Sequence, residues 1–139
     1  MKQVLVFGTF DRLHEGHKYF LRQSKRHGNF LIVVVSRNIT VKMQKGRVPM
    51  NDEKVRLESI KKLNVVDKAL LGEKEISYNL IKKIKPDVIC IGYDQMPLVQ
   101  AKNILKSIGM RWVALKKIKA FKPKIYKSSL MHTKKIFKN

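Results

Sequence analysis

Short apolar runs alternate with amphipathic, lysine-rich segments along the chain, and the spacing within each run predicts its element. Val4-Leu5-Val6-Phe7 is a continuous, partly β-branched run, so Gln3 to Phe7 is read as a first strand that breaks at Gly8. A first helix runs from about His17 to His27, with Tyr19, Phe20 and Leu21 as apolar contacts and Gly28 as its stop. Phe30 to Ser36 is apolar throughout its length, the pattern of a strand covered on both faces. A polar, basic stretch from Arg37 to Arg47 follows and ends at Gly46-Arg47-Val48-Pro49. Asn51 to Leu63 reads as a helix, opened by Asn51-Asp52-Glu53 and carrying Val55, Ile60 and Leu63 at roughly helical spacing. Val66 to Leu71, Asp87 to Ile91 and Met110 to Leu115 are read as strands. Ser77 to Lys85, Pro97 to Ile108 and Ser128 to Phe137 are read as helices.

Strands separated by helices need crossover connections, which are right-handed and imply a parallel sheet. The expected architecture is a single α/β domain over residues 1–139, with five parallel strands and helices on both faces. Such sheets bind ligands beyond the carboxyl ends of their strands. Gly8-Thr9-Phe10-Asp11, Ser36-Arg37-Asn38 and Gly92-Tyr93-Asp94-Gln95 each follow a predicted strand, so all three fall on one edge and predict one cleft.

Charge narrows the partners without naming one. The 31 Lys and Arg residues against 10 Asp and Glu give a net charge of +21, and no acidic residue follows Asp94. Such a field attracts any polyanion, but no RNA-recognition motif, zinc-finger spacing or Gly-x-x-Gly clamp accompanies it, so no specific nucleic-acid partner is expected. The longest apolar run, Phe30 to Val35, is far below the ~20 residues that span a bilayer, and the first residues lack a signal-peptide pattern. The expected location is therefore the cytoplasm, with no membrane partner. Cys90, within Val88-Ile89-Cys90-Ile91, reads as a buried core thiol. The apolar helix faces leave room for a homodimer.

The candidate chemistry sits between the first strand and the first helix. Gly8 and Thr9 stand where the chain must turn without bulk, so a ligand can approach the backbone closely. His14 and His17 flank Gly16 where the helix opens, so free N–H groups, the helix dipole and two imidazoles can converge on one anion.

Gly8-Thr9-Phe10-Asp11 followed by His14-Glu15-Gly16-His17 resembles the nucleotidyltransferase superfamily of cytidylyltransferases, phosphopantetheine adenylyltransferases and archaeal-type FAD synthases. The later segments are most similar to the FAD synthases. These are Val35 to Lys42, Lys45-Gly46-Arg47-Val48-Pro49, Glu53-Lys54-Val55-Arg56, Gly92-Tyr93-Asp94-Gln95 and His132-Thr133-Lys134-Lys135-Ile136. The resemblance implies a Rossmann-like fold and a reaction in which an acceptor phosphate oxygen attacks the α-phosphorus of a nucleoside triphosphate and pyrophosphate leaves. Such transfers depend on positioning and charge stabilisation, so donors and cations are the residues to expect.

By that resemblance His14, His17, Lys45 and Arg56 are the catalytic set. The histidines would contact the α- and β-phosphates, and the two cations would clamp the triphosphate or the incoming phosphate. Gly8, Thr9, Phe10, Gly16, Asp94 and Thr133 would bind the nucleotide: Thr9 and the Phe10 N–H at the phosphates, Asp94 at ribose or base, and Thr133 at the start of a last phosphate-binding region, 127–139. Asp11 would orient the acceptor or a hydrated Mg²⁺ that is bound mainly through the triphosphate.

Departures from the cytidylyltransferase pattern favour adenine over cytosine. Lys127 to Thr133 lacks the Arg and Gly of the last motif, and Gln95 stands where that pattern has Trp. His132 replaces a Ser of the FAD synthase pattern, and Asn38 replaces an Asp common after the second strand. The expected activity is therefore Mg²⁺-dependent transfer of AMP from ATP to FMN. Alternative acceptors are glycerol 3-phosphate, a sugar phosphate of lipopolysaccharide-precursor type, or phosphopantetheine, and cytidylyl transfer to such acceptors is a further alternative. A non-catalytic polyanion-binding protein is the competing class.

Overall fold

The computed structural model describes residues 1–74 and 78–121. In chain order the elements are β1 (Gln3–Gly8), α1 (Glu15–Lys25), β2 (Phe30–Val35), α2 (Asn38–Lys45), α3 (Glu53–Lys61), β3 (Lys68–Leu71), α4 (Asn79–Ile84), β4 (Val88–Gly92), α5 (Leu98–Ser107) and β5 (Ala114–Ile118). The helix expected over Ser128 to Phe137, and Thr133 within it, lie outside the described residues. Among the described residues no helix is long and apolar enough to cross a membrane.

The five strands form one parallel sheet in the order β3-β2-β1-β4-β5, as expected of alternating strands and helices. Alternation along each strand sorts the core onto two faces. Val4, Val6, Leu31, Val33, Val35, Val88 and Cys90 face one side with Leu21 of α1 and Ile60 of α3. Leu5, Ile32, Val34, Ile89 and Ile91 face the other with Ile81 of α4 and Ala101 and Leu105 of α5. Both faces are covered, which is why the central strands read as unbroken apolar runs.

Chain direction reverses at β1: the first three strands step one way across the sheet, and β4 then returns to β1's free side. A crevice opens at such a switch point, above the carboxyl ends of β1 and β4.

Two stretches depart from the sequence expectation. Part of the basic stretch Arg37 to Arg47 is a helix, α2, in which Val41 alone is buried, so it carries too little apolar periodicity to be seen. The fifth strand lies over Ala114–Ile118 rather than Met110 to Leu115. Met110 and Val113 are buried in a turn closed by the Met110 N–H on the Leu105 carbonyl and the Val113 N–H on the Met110 carbonyl, so their apolar character reports packing and not strand.

Candidate active site

The turn from β1 into α1 is held in an unusual backbone. Phe10 and Arg12 both have left-handed φ, 51° and 53°, a conformation that costs a non-glycine residue energy and clusters at functional sites. Packing offsets that cost. The Phe10 ring is buried and lies over Gly8, where an added Cβ would come within 2.6 Å of Cε2 and Cζ. Its other side meets the His17 ring edge-on, with centroids 5.5 Å apart.

The histidines are part of the helix start itself. α1 begins two residues before its expected start, which makes His14 the N-cap and places His17 in the first turn. His14 Nδ1 accepts from the Gly16 N–H at 3.0 Å, and His17 Nδ1 accepts from the His14 N–H at 3.3 Å. This reciprocal pairing is a capping box built from two imidazoles. The rings stack with centroids 3.8 Å apart. Because each Nδ1 is an acceptor, the hydrogen-bond network assigns the ring proton of each neutral imidazole to Nε2, leaving a donor for an anion. Burial, reinforced by His14 and Lys45 and opposed by Asp11, pushes the His17 pKa down to about 4, so this ring is neutral near pH 7.

α2 and α3 close the cleft from the β2 side. Lys45, the last residue of α2, directs Nζ to within 3.3 Å of Thr9 Oγ1, so the sequence-predicted cation and phosphate turn do meet. Asp11 accepts from the Met50 N–H at 2.7 Å and the Asn51 N–H at 2.9 Å, tying the turn to the start of α3. Burial raises its pKa, but those two N–H groups, with Arg56 and Arg12 nearby, leave it below the ordinary value.

Arg56 differs from the cation expected to grip the triphosphate. It is 1% exposed, and its guanidinium is engaged with protein oxygens. Nε donates to the Asn51 carbonyl at 3.0 Å, Nη1 to the Thr9 and Ser36 carbonyls at 2.8 Å each, and Nη2 to Asn38 Oδ1 at 2.8 Å. It is a strut beneath the turn, joining the ends of β1 and β2 to the start of α3.

On the β4 side, Gln95 stitches the two central strands together: Oε1 accepts from the Gly92 N–H at 2.6 Å and Nε2 donates to the Phe7 carbonyl at 2.8 Å. Asp94 is exposed at this strand end, on the same sheet edge as the histidine turn. A cleft of about 550 Å³, lined by Tyr19, Tyr93, Lys117, Lys119, Ala120 and Phe121, opens beyond β4 and β5.

Sequence reasoning placed His14, His17, Thr9 and Lys45 at one site, and they converge there. It did not see that Asn38, Gln95 and the Phe10 ring help Arg56 and Asp11 hold the turn. One signal was present: Arg56 and the apolar Ile60 are spaced four apart, which puts Arg56 on the buried face of α3. Among the described residues no three His, Cys, Asp or Glu side chains are grouped as a metal cage.

The family model for cytidylyltransferase-like proteins matches residues 5–136. The chain is 42% identical over 138 residues to the FAD synthase of Pyrococcus abyssi, covering 98% of this chain and 90% of that one. It is 45% identical over 96 residues to the FAD synthase of Methanohalophilus mahii, covering 69% and 66% respectively. Among solved structures, the lipopolysaccharide core biosynthesis protein from Thermoplasma volcanium superposes with a TM-score of 0.77 at 34% identity, covering 88% of this chain and 98% of that one. Pantothenate synthetase from Thermus thermophilus shares the fold, with a TM-score of 0.62 at 14% identity over 89% of this chain and 58% of its own.

Proposed function

The chain belongs to the cytidylyltransferase-like family, and from that premise we propose how its cleft performs the transfer. It is a nucleotidyltransferase, an FMN adenylyltransferase that joins the AMP of ATP to the phosphate of FMN. A phosphate oxygen of FMN forms a bond to the α-phosphorus while the bond from that phosphorus to the α,β-bridging oxygen breaks. The bridging oxygen leaves with pyrophosphate.

No side chain needs to act as a nucleophile, so the work of the site is to orient two phosphates and to hold charge as it moves. The observation that carries the residue assignment is the reciprocal His14–His17 cap, which leaves two Nε2–H donors beside the helix start. These donors, with the positive end of α1, stabilise charge growing on the α- and β-phosphates. Lys45, held at Thr9, adds a cation at the turn. The Phe10 N–H and Thr9 hydroxyl seat the phosphates on the strained turn, and Asp94 serves the ribose or base. Arg56 keeps the turn in place without touching substrate. The aromatic cleft of Tyr19, Tyr93 and Phe121 offers stacking surfaces for a flat heterocycle.

Mg²⁺ fits this donor set as an ion carried by the triphosphate, since such ions keep most of their waters and need only a carboxylate or two from protein. Asp11 is the carboxylate on the phosphate turn that would meet it, using lone pairs that Met50 and Asn51 leave free. The ion would supply charge neutralisation on the phosphates. The location that suits this reaction is the cytoplasm, where ATP is available.

The deciding experiment is mass spectrometry of products from the purified protein with Mg²⁺, FMN and either ATP or CTP. FAD from ATP, with little adduct from CTP, is the expected result. No adduct from either would overturn FMN as the acceptor and send the assay to sugar phosphates, glycerol 3-phosphate and phosphopantetheine.

A further inference from the structure

Asn38 and Asp52 face each other as an amide and a carboxylate at the start of α2 and α3. Asn38 Oδ1 accepts from Arg56 Nη2 at 2.8 Å, its Nδ2 donates to Asp52 Oδ1 at 2.9 Å, and its backbone N–H donates to Glu53 Oε1 at 2.8 Å. The side chain therefore needs an acceptor on one side and a donor on the other. A carboxamide supplies both; an ionised carboxylate supplies only the first.

Beside Asn38, the start of α2 is held by its N-cap Arg37, whose Nε donates to the Gly72 carbonyl at 2.6 Å and whose Nη1 donates to Glu53 Oε2 at 3.3 Å. The helix is eight residues long, too short to be stable alone, and Val41 is its one buried residue. Its first residue is Asn38 and its last is Lys45, whose Nζ meets Thr9 Oγ1 at 3.3 Å. Whatever sets the angle at the first end sets where the ammonium arrives at the other. The same amide also touches Arg56, which holds the Thr9 carbonyl, so Asn38 reaches the phosphate turn by two routes.

We propose that Asn38 is a positioning residue for the transfer: by engaging Arg56 and Asp52 together, it sets the line along which α2 delivers Lys45 to the triphosphate. The inference rests on the assignment of ATP as the substrate held at Thr9.

A polarity swap tests it. N38D sets two carboxylate oxygens against each other where one hydrogen bond was. Asp52 uses Oδ1 for the Asn38 amide and Oδ2 for the Lys54 N–H of the cap, so D52N alone, with a single acceptor oxygen, gives up one of the two. The double variant N38D/D52N rebuilds the hydrogen bond in the opposite sense and still offers Arg56 an acceptor. N38D should raise KM for MgATP at least tenfold with a smaller change in kcat. The double variant, in which the amide at position 52 caps through its oxygen and donates through its nitrogen, should stay within threefold of the parent. In a Lys45→Ala background, N38D should add less than threefold, because the group it positions is already gone.

An N38D variant within twofold of the parent would overturn the proposal, as would a folded double variant as impaired as N38D, or a full N38D effect in the Lys45→Ala background. If N38D does not fold, the double variant decides alone. Calorimetric affinity for a non-hydrolysable ATP analogue with Mg²⁺ gives the same comparison without FMN. A parent that binds the analogue but makes no FAD removes the FMN assignment and leaves this test standing; a parent that binds no analogue overturns both.

Discussion

His14 and His17 hold each other in place: the His14 N–H donates to His17 Nδ1 at 3.3 Å while the two rings stack 3.8 Å apart. In the proposed reaction the pair has two separable duties, closing the first turn of α1 and offering Nε2–H donors to phosphate. His17→Gln separates them, because glutamine at this position of a capping box can also reach back to the N-cap N–H. The variant should keep its thermal midpoint within a few degrees of the parent. Its kcat should fall on the order of 10² or more, the loss expected when a positioned charge stabiliser goes. Turnover near the parental value would remove His17 from the chemistry.

The same substitution reports on acid stability. The His17 ring titrates at about 4 in the folded chain against 6.5 ordinarily, chiefly because it is buried. Between those values the unfolded chain binds a proton that the folded chain refuses. The resulting stability is complete above about pH 6.5 and is lost as pH falls toward 4. Melting curves from pH 7.5 to 4 should show the parent losing more stability than His17→Gln, since the carboxylates that weaken both are shared. Parallel curves would mean that the ring is not held neutral.

Legibility in the sequence followed burial. β1, β2 and β4 were plain because strands covered on both faces must be apolar at nearly every position. The histidine turn was plain because its residue types are chemical. α2 was not, since a helix fixed by side-chain hydrogen bonds at its ends and one buried valine carries no stripe. Arg56 was expected at the triphosphate by resemblance, and its burial was not foreseen, because only its spacing from Ile60 marks it as inward.

Gly8 has no room for a side chain. An added Cβ would lie 2.6 Å from the Phe10 ring, which is buried and whose backbone already sits at φ 51°. Gly8→Ala must push that ring, and the ring contacts His17. Overpacking of this kind costs about 1–3 kcal/mol, which urea denaturation will read. Activity should fall beyond what the loss of folded protein explains, because the histidine moves with the ring. A fully active Gly8→Ala protein would show that the turn does not depend on this packing.

Arg56 and Lys45 are both cations near Thr9, and their substitutions should have opposite signatures. Replacing Arg56 by Leu strips hydrogen bonds from the carbonyls of Thr9, Ser36 and Asn51 and from the Asn38 amide. Each buried acceptor left unpaired costs about 1–3 kcal/mol, so the loss should be at least about 3 kcal/mol and visible as a lower urea midpoint. Lys45 is exposed, and its hydrogen bond to Thr9 is long. Lys45→Ala should leave the midpoint unchanged and lower kcat/KM for ATP at least tenfold. Because Arg56 lies under the turn and Lys45 reaches it from solvent, a stable Arg56→Leu protein with weakened ATP binding would reverse their roles and return Arg56 to the phosphates.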